Sequence, residues 1–353
     1  MENETIGNLY TESEDAGNKY RYEQLHQLLT FIESQKNNAD IKREQYFKPD
    51  FSTVHTYNES IEPYRQEFIG MLGWPLTNYS VNMPVPHVES EFVGKDDLGD
   101  IYRLNITALP GLTSYGILFL PKGNGPFPLI ISQHGGLGTP ELCSGFFGSA
   151  NYNDMTRRVL RKGFAVFAPQ LLLWGEQFGP KFDREHIDME LKQLGGSITA
   201  LEIFKVMRSL DYLLSRTDID KNKVGMMGLS YGGFYTLFTA AVDIRIKAAL
   251  SSCFFNNRYV YDSHDWIWFN SANTFLDAEV CALICPRSLY IEAGKTDDIF
   301  DIKYVYKEYR KVELIYLKLG ISNNLGYKEF DGGHELDKGE EGIEFLCDRV
   351  SHS

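Results

Sequence analysis

Basic residues are the first shortage in this chain: 35 Lys and Arg stand against 48 Asp and Glu, a formal net charge of −13 at pH 7. A nucleic-acid binder needs a basic face that displaces counterions from phosphates, and no Lys/Arg cluster of that kind occurs, so nucleic acid is not an expected partner. Long apolar runs are missing as well. The most apolar stretch, residues 164–174, is broken by Pro169 and Gln170 and falls well short of the roughly 18 residues of a membrane span. The opening MENETIGNLYTESEDAG has neither the basic nor the apolar segment of a secretory leader. A soluble, cytoplasmic protein is the expectation. Cysteine is scarce and odd in number. Cys143, Cys253, Cys281, Cys285 and Cys347 are widely and irregularly spaced, which suits free thiols in a reducing compartment better than a disulfide framework. Cys281 and Cys285 lie in AEVCALICPRSLYI with no second Cys/His pair nearby, so buried structural thiols are expected there and no metal. Neither an internal repeat nor a low-complexity run interrupts the chain.

What is present is apolar residue in patterned amounts. Hydrophobic residues make up 43% of the 353 positions, enough for the core of one large domain or two small ones. Residues 1–18 carry Glu2, Glu4, Glu12, Glu14 and Asp15 without a Lys or Arg and read as a solvated tail. Leu25, Leu28, Leu29 and Ile32 then fall at the i, i+3, i+4, i+7 spacing of an amphipathic helix. A second helix near 61–72 is stopped by Gly73 and Pro75. Residues 1–87 are therefore expected to be an acidic tail and a helical extension packed on the body formed by 88–353.

From Val88 the texture changes to strands. IYRLNITALPGLTSYGILFLP gives two β runs about a Pro-Gly turn, an antiparallel hairpin at a sheet edge. After it, apolar strands (PLIISQ, FAVFAPQLLLW, KVGMMGLS, IKAALSSCFF, RSLYIEAG, a short GYKEF) alternate with helical patterns. Continuous Val/Ile/Leu/Phe strands between amphipathic helices predict an α/β fold, a mostly parallel sheet with helices on both faces. Ligands of such sheets bind at the C-terminal ends of the strands.

One strand end carries the pattern that chemistry needs. VGMMGLSYGGF contains Gly228-Leu229-Ser230-Tyr231-Gly232, a G-x-S-x-G where a buried strand turns into a helix. That turn strains the central residue and exposes its side chain at the sheet edge. A serine that only caps the helix would explain neither flanking glycine. A serine hydroxyl is a weak nucleophile and needs an oriented base. Downstream strand ends offer Asp297 or Asp298 in GKTDD, and His334 in DGGH. Asp297 is preferred, and the order Ser230, Asp297, His334 suits this architecture. Among other histidines His264, in an aromatic loop, is the one serious rival base. Donors for an oxyanion are expected from the turn His134-Gly135-Gly136 after PLIISQ, through the N–H of Gly135 or Gly136, and from the N–H of Tyr231 at a helix start. Aromatics interleaved with polar residues in 254–275 suggest a substrate platform or a packed lid, with Trp266 and Trp268 as candidate contacts. His134 and Trp174 also fall beside the expected site and are further candidate substrate contacts. Glu176, next to Trp174, is expected to bond neighbouring loops.

With these motifs in order, the chain resembles the α/β-hydrolase superfamily, and within it the serine esterases grouped with dienelactone hydrolase and the acetyl xylan esterases. The resemblance spans about 88–350 and rests on HGG at 134–136, GLSYGG at 228–233, GKTDD at 294–298 and DGGH at 331–334. It implies Ser230 as nucleophile, His334 as general base and Asp297 as its partner, in a catalytic domain of residues 88–353. The chain carries serine where dienelactone hydrolases proper use cysteine. The expectation is hydrolysis of a small carboxylic ester, an acylated carbohydrate or an aromatic ester, with no cofactor and no metal. A homo-oligomer is compatible with the sequence. A peptidase or amidase of the prolyl-oligopeptidase type, and a silent hydrolase fold serving as a binding module, are the alternatives.

Overall fold

A computed structural model describes residues 9–148 and 150–353. Glu2 and Glu4 of the acidic tail lie outside the described residues. Nine strands follow in chain order: β1 (Val88–Lys95), β2 (Gly99–Leu109), β3 (Leu112–Pro121), β4 (Phe127–Gln133), β5 (Ala165–Pro169), β6 (Ile219–Leu229), β7 (Ala248–Ser252), β8 (Ser288–Gly294) and β9 (Leu325–Phe330). They form one sheet in the order β1-β2-β3-β5-β4-β6-β7-β8-β9. The first three are antiparallel, as is the β3–β5 pair, and from β5 onward every neighbour is parallel. The hairpin of β2 and β3 is the one the Pro-Gly turn predicted. It is not the sheet edge, because β1 pairs along the outer side of β2. This is the α/β-hydrolase fold.

The helices are α1 (Asn18–Tyr46), α2 (Val54–Leu72), α3 (Pro140–Cys143), α4 (Met155–Arg161), α5 (Arg184–Gln193), α6 (Ile198–Leu213), α7 (Tyr231–Val242), α8 (Ser271–Thr274), α9 (Asp277–Ile284), α10 (Ile302–Lys318) and α11 (Glu341–Ser351). Buried side chains of α2, α6, α7, α9 and α10 form the core on one sheet face. Those of α3, α4 and α11 form the core on the other. Helices on both faces are what continuous apolar parallel strands require. All five cysteines are free and buried. No helix among the described residues is long and apolar enough to cross a membrane.

Two further expectations need correction. The helical extension packs on the body only in part. In α2, Tyr57, Ile61, Phe68 and Leu72 are buried, but Leu25, Leu28, Leu29 and Ile32 of α1 are 52%, 53%, 57% and 41% exposed. The reason is geometric. α1 is anchored through its last turns, where Ala39 and Arg43 are buried, with Arg43 paired to Glu279 at 3.1 Å and bonded to the Ala272 carbonyl at 2.6 Å. The predicted strand over 164–174 also ends early, at Pro169. Beyond it the backbone turns away from the ladder, and the N–H groups of Leu171 and Leu172 go to the side chains of His134 and Glu202 at 2.9 and 2.8 Å.

Candidate active site

β6 delivers its last residue, Leu229, into the first turn of α7, and Ser230 at the junction has φ +58° and ψ −124°. A non-glycine residue at such angles stores strain that the surroundings must hold in place. The surroundings do so by close backbone approach. A Cβ on Gly228 would collide with the Gly232 carbonyl, and one on Gly232 with the Gln133 carbonyl. Only glycine lets strand, helix and the end of β4 meet around the serine. The Ser230 N–H donates to the Ser252 carbonyl at 2.9 Å, tying the turn to the end of β7.

The turn after β8 carries Asp297, and the turn after β9 carries His334. His334 Nδ1 lies 2.9 Å from Asp297 Oδ2, and the Asp297 side chain is only 1% exposed. Its other oxygen accepts the N–H groups of Ile299 and Phe300 at 2.8 and 3.0 Å. Burial pushes this carboxyl up, but the His334 bond and the two backbone donors outweigh burial and hold it below the ordinary 3.8. An ionised carboxylate only accepts, so Nδ1 carries the proton and Nε2 keeps its lone pair. Asp298 is exposed, which separates the two adjacent acids. Among the described residues no hydrogen bond joins Ser230 Oγ to His334. Such bonds commonly shorten only when substrate is bound.

Cys253 stands within 4.8 Å of the ligand atoms of Asp297 and His334. Its thiol donates to the Glu335 carbonyl at 3.2 Å, and burial, with the Asp297 charge adding, pushes it up to about 12. A thiol held neutral does not compete as nucleophile. His264, the rival base, instead faces Asp188 at 3.1 Å.

The loop after β4 corrects two expectations. His134 is fully buried. Its Nε2 accepts the Leu171 N–H at 2.9 Å, so Nδ1 bears the proton donated to the Gly135 carbonyl at 2.8 Å. Desolvation, against a smaller opposing effect of that carbonyl, takes the ring down to about 4. His134 therefore cannot touch substrate; it is a neutral peg that fixes the loop. The Gly135 N–H is also engaged, donating to the Tyr152 hydroxyl at 2.9 Å, which removes it as an oxyanion donor. Gly136 is exposed and lies against the Tyr231 ring, leaving its N–H and that of Tyr231 as the candidate donors. As the first residue of α7, Tyr231 has no acceptor for its N–H within its own helix.

The same short segment holds both loops. Asn151 accepts the Leu336 N–H at 2.9 Å through its carbonyl, Tyr152 takes Gly135, and the Asn153 side chain donates to Leu336 O at 2.6 Å and Glu335 Oε2 at 2.9 Å.

The tryptophans divide. Trp266 packs on Tyr231 at 5.2 Å and on Phe300 at 6.1 Å, and Phe300 in turn lies 5.8 Å from the His334 ring, so Trp266 flanks the site. Trp268 packs on Phe68 and Phe238 at 5.2 and 5.4 Å and serves the core behind α7, which corrects its assignment to substrate. Trp174 pairs through its backbone with Leu137 and lines a cleft beside the loop. Glu176 is exposed and reaches Lys181 at 3.7 Å. Sequence reasoning missed Asp265, buried one residue before Trp266, which accepts the Tyr231 hydroxyl at 3.2 Å and Arg184 Nε at 3.0 Å.

Residues 119–261 match the profile of the Dienelactone hydrolase family, a stretch that includes His134, Gly136 and Ser230 but ends before Asp297 and His334. A protein of Bacillus subtilis (strain 168), YtaP, which bears a provisional hydrolase name, is 27% identical over 228 residues, 60% of this chain and 75% of its own. A glucuronoyl esterase from Solibacter usitatus superimposes with a TM-score of 0.64 at 15% identity, over 86% of this chain and 95% of that one. Acetyl xylan esterase 1 from Thermoanaerobacterium sp. JW/SL YS485 gives 0.54 at 17% identity, over 82% and 93%. The chain is thus an α/β-hydrolase-fold protein resembling the serine esterases grouped with dienelactone hydrolase and the acetyl xylan esterases.

Proposed function

We propose that this protein is a serine hydrolase of small carboxylic esters, acting through an acyl-enzyme with Ser230, His334 and Asp297 as its triad. The observation that carries the reading is the strained, half-buried serine at the β6–α7 elbow, with the His334–Asp297 pair at the ends of β8 and β9 in the same sheet. Ser230 Oγ attacks the ester carbonyl as His334 Nε2 takes its proton. Asp297 fixes the tautomer and balances the imidazolium. The N–H groups of Gly136 and Tyr231 receive the developing oxyanion, and each such donor typically contributes about 3 kcal/mol at the transition state. His334 then protonates the leaving alcohol, and water, activated by the same imidazole, releases the acid. Acylated carbohydrates are the substrate class favoured here, since the similar proteins include a glucuronoyl esterase and an acetyl xylan esterase. Five free thiols favour a reducing compartment, and the cytoplasm is the proposed location.

The test is mass mapping after fluorophosphonate treatment, beside a Ser230→Ala control. A single adduct on Ser230, absent from the control, is expected. A folded protein that takes no adduct overturns the reading.

A further inference from the structure

Beside the loop that carries Gly136 lies a cleft of about 430 Å³, within the range of small-molecule sites. It shares a wall with the catalytic loop. Thr139 and Trp174 line it, and Trp174 is the backbone partner of Leu137, the residue after Gly136. The floor comes from the antiparallel hairpin. Arg103 Nε donates to the Tyr115 hydroxyl at 3.2 Å, and that hydroxyl donates to Glu141 Oε1. Among the described residues no carboxylate lies within ion-pair distance of Arg103, so most of its guanidinium N–H groups keep their donor capacity. The mouth is aromatic: Phe147 and Phe178 stack at 5.9 Å with their planes 17° apart. They are 62% and 36% exposed, an uncommon outlay of apolar ring surface in water unless something covers it.

We propose that this cleft is the subsite for the pyranose ring of the substrate, with Arg103 and Glu141 as its specificity-determining residues. The inference rests on the esterase reading above. A pyranose has apolar C–H faces that pack on aromatic rings and a belt of hydroxyls that both donate and accept. The cleft offers the matching set: aromatic walls in Phe147, Phe178 and Trp174, a donor in Arg103 and an acceptor in Glu141. A purely aryl or alkyl group would leave the polar floor unpaired, at the cost of its desolvation.

The experiment compares Arg103→Gln and Phe178→Ala with the parent on methyl 2-O-acetyl-xylopyranoside, which keeps two free hydroxyls, and p-nitrophenyl acetate. The ratio of kcat/KM for the sugar ester to that for the aryl ester is expected to fall about tenfold in Arg103→Gln, the weight of one hydrogen bond to a charged group, and about fivefold in Phe178→Ala, the loss of one packed ring face. A ratio unchanged within about twofold in both variants overturns the inference while p-nitrophenyl acetate turnover and the Ser230 adduct leave the esterase reading standing. Binding is read separately, by saturation-transfer NMR of methyl 2-O-acetyl-xylopyranoside on Ser230→Ala protein. Transfer that is lost in Ser230→Ala/Phe178→Ala supports the subsite even if no ester is turned over, and no transfer to the parent overturns it.

Discussion

Two histidines stand at strand ends of this sheet, each next to a pair of glycines, and their surroundings make different objects of them. His134 is sealed, with both ring nitrogens spent on backbone groups and the ring kept neutral by desolvation. His334 has one nitrogen on Asp297 and its side chain is 14% exposed, so the other nitrogen can meet a reacting group. The residue type is the same. What differs is whether the loop folds its imidazole under the sheet edge or over it, and the chemistry follows from the nitrogen left unspent.

The comparison can be broken most severely on the His334 side. Asp297→Asn keeps the shape of the carboxyl but removes the charge and the tautomer control, and kcat on p-nitrophenyl acetate should fall by about 10⁴-fold. Asp298→Asn, one residue on and exposed, should leave it within about twofold. A similar loss from both would mean that the pairing of His334 with Asp297 does not govern activity.

On the other side, His134→Ala strands the buried Leu171 N–H and Gly135 carbonyl and leaves a cavity, so denaturant melts near neutral pH should show a loss of about 3 kcal/mol. The sign of its pH dependence follows from the ring's lowered value. Stability from a base depressed from 6.5 to about 4 is complete above the unfolded value and is lost as pH falls through the folded one. The gap between parent and variant should therefore narrow on acidification; a gap that widens would show that His134 is charged in the fold.

The mildest test concerns Glu292, whose Oε1 accepts the Asp337 N–H at 2.9 Å beneath the His334 loop. Burial raises it from 4.5 to about 7, partly offset by the Asp337 and Ser252 donors. Its contribution to stability is thus full below 4.5 and lost as pH rises through about 7. Glu292→Gln should remove that decline, standing on the order of 2 kcal/mol above the parent at mildly alkaline pH. Equal melts across the range would mean that Glu292 titrates alike in both states.

The strand ends that carry Ser230, Asp297 and His334 were legible because turn chemistry is local. A strand running into GLSYGG, and later GKTDD and DGGH, carries its geometry within a few residues. The parallel sheet was legible for the same reason, from apolar runs and their spacing. His134 was misread because an HGG segment looks the same whether its imidazole faces solvent or a backbone amide 37 residues on. Gly135 was assigned a donor role because its acceptor, Tyr152, lies in a different loop. The exposed face of α1 was read as packed, since an amphipathic stripe states that a helix has an apolar side and not that the body extends far enough to meet it. The cleft was invisible for a further reason: Arg103 and Tyr115 come from a hairpin, Glu141 from α3, and Phe147 and Phe178 from separate loops, so no window of sequence contains it.

The strut of residues 151–153 has a consequence for how such a site can change over generations. Because Tyr152 holds the Gly135 turn while Asn151 and Asn153 hold the stretch after His334, the turn after β4 and the turn after β9 share one foundation. Neither loop can be exchanged for that of another hydrolase without carrying the tripeptide with it. Heritable variation in reactivity is thereby steered away from these two turns and toward rims, such as the aromatic mouth of the cleft, that this foundation does not support.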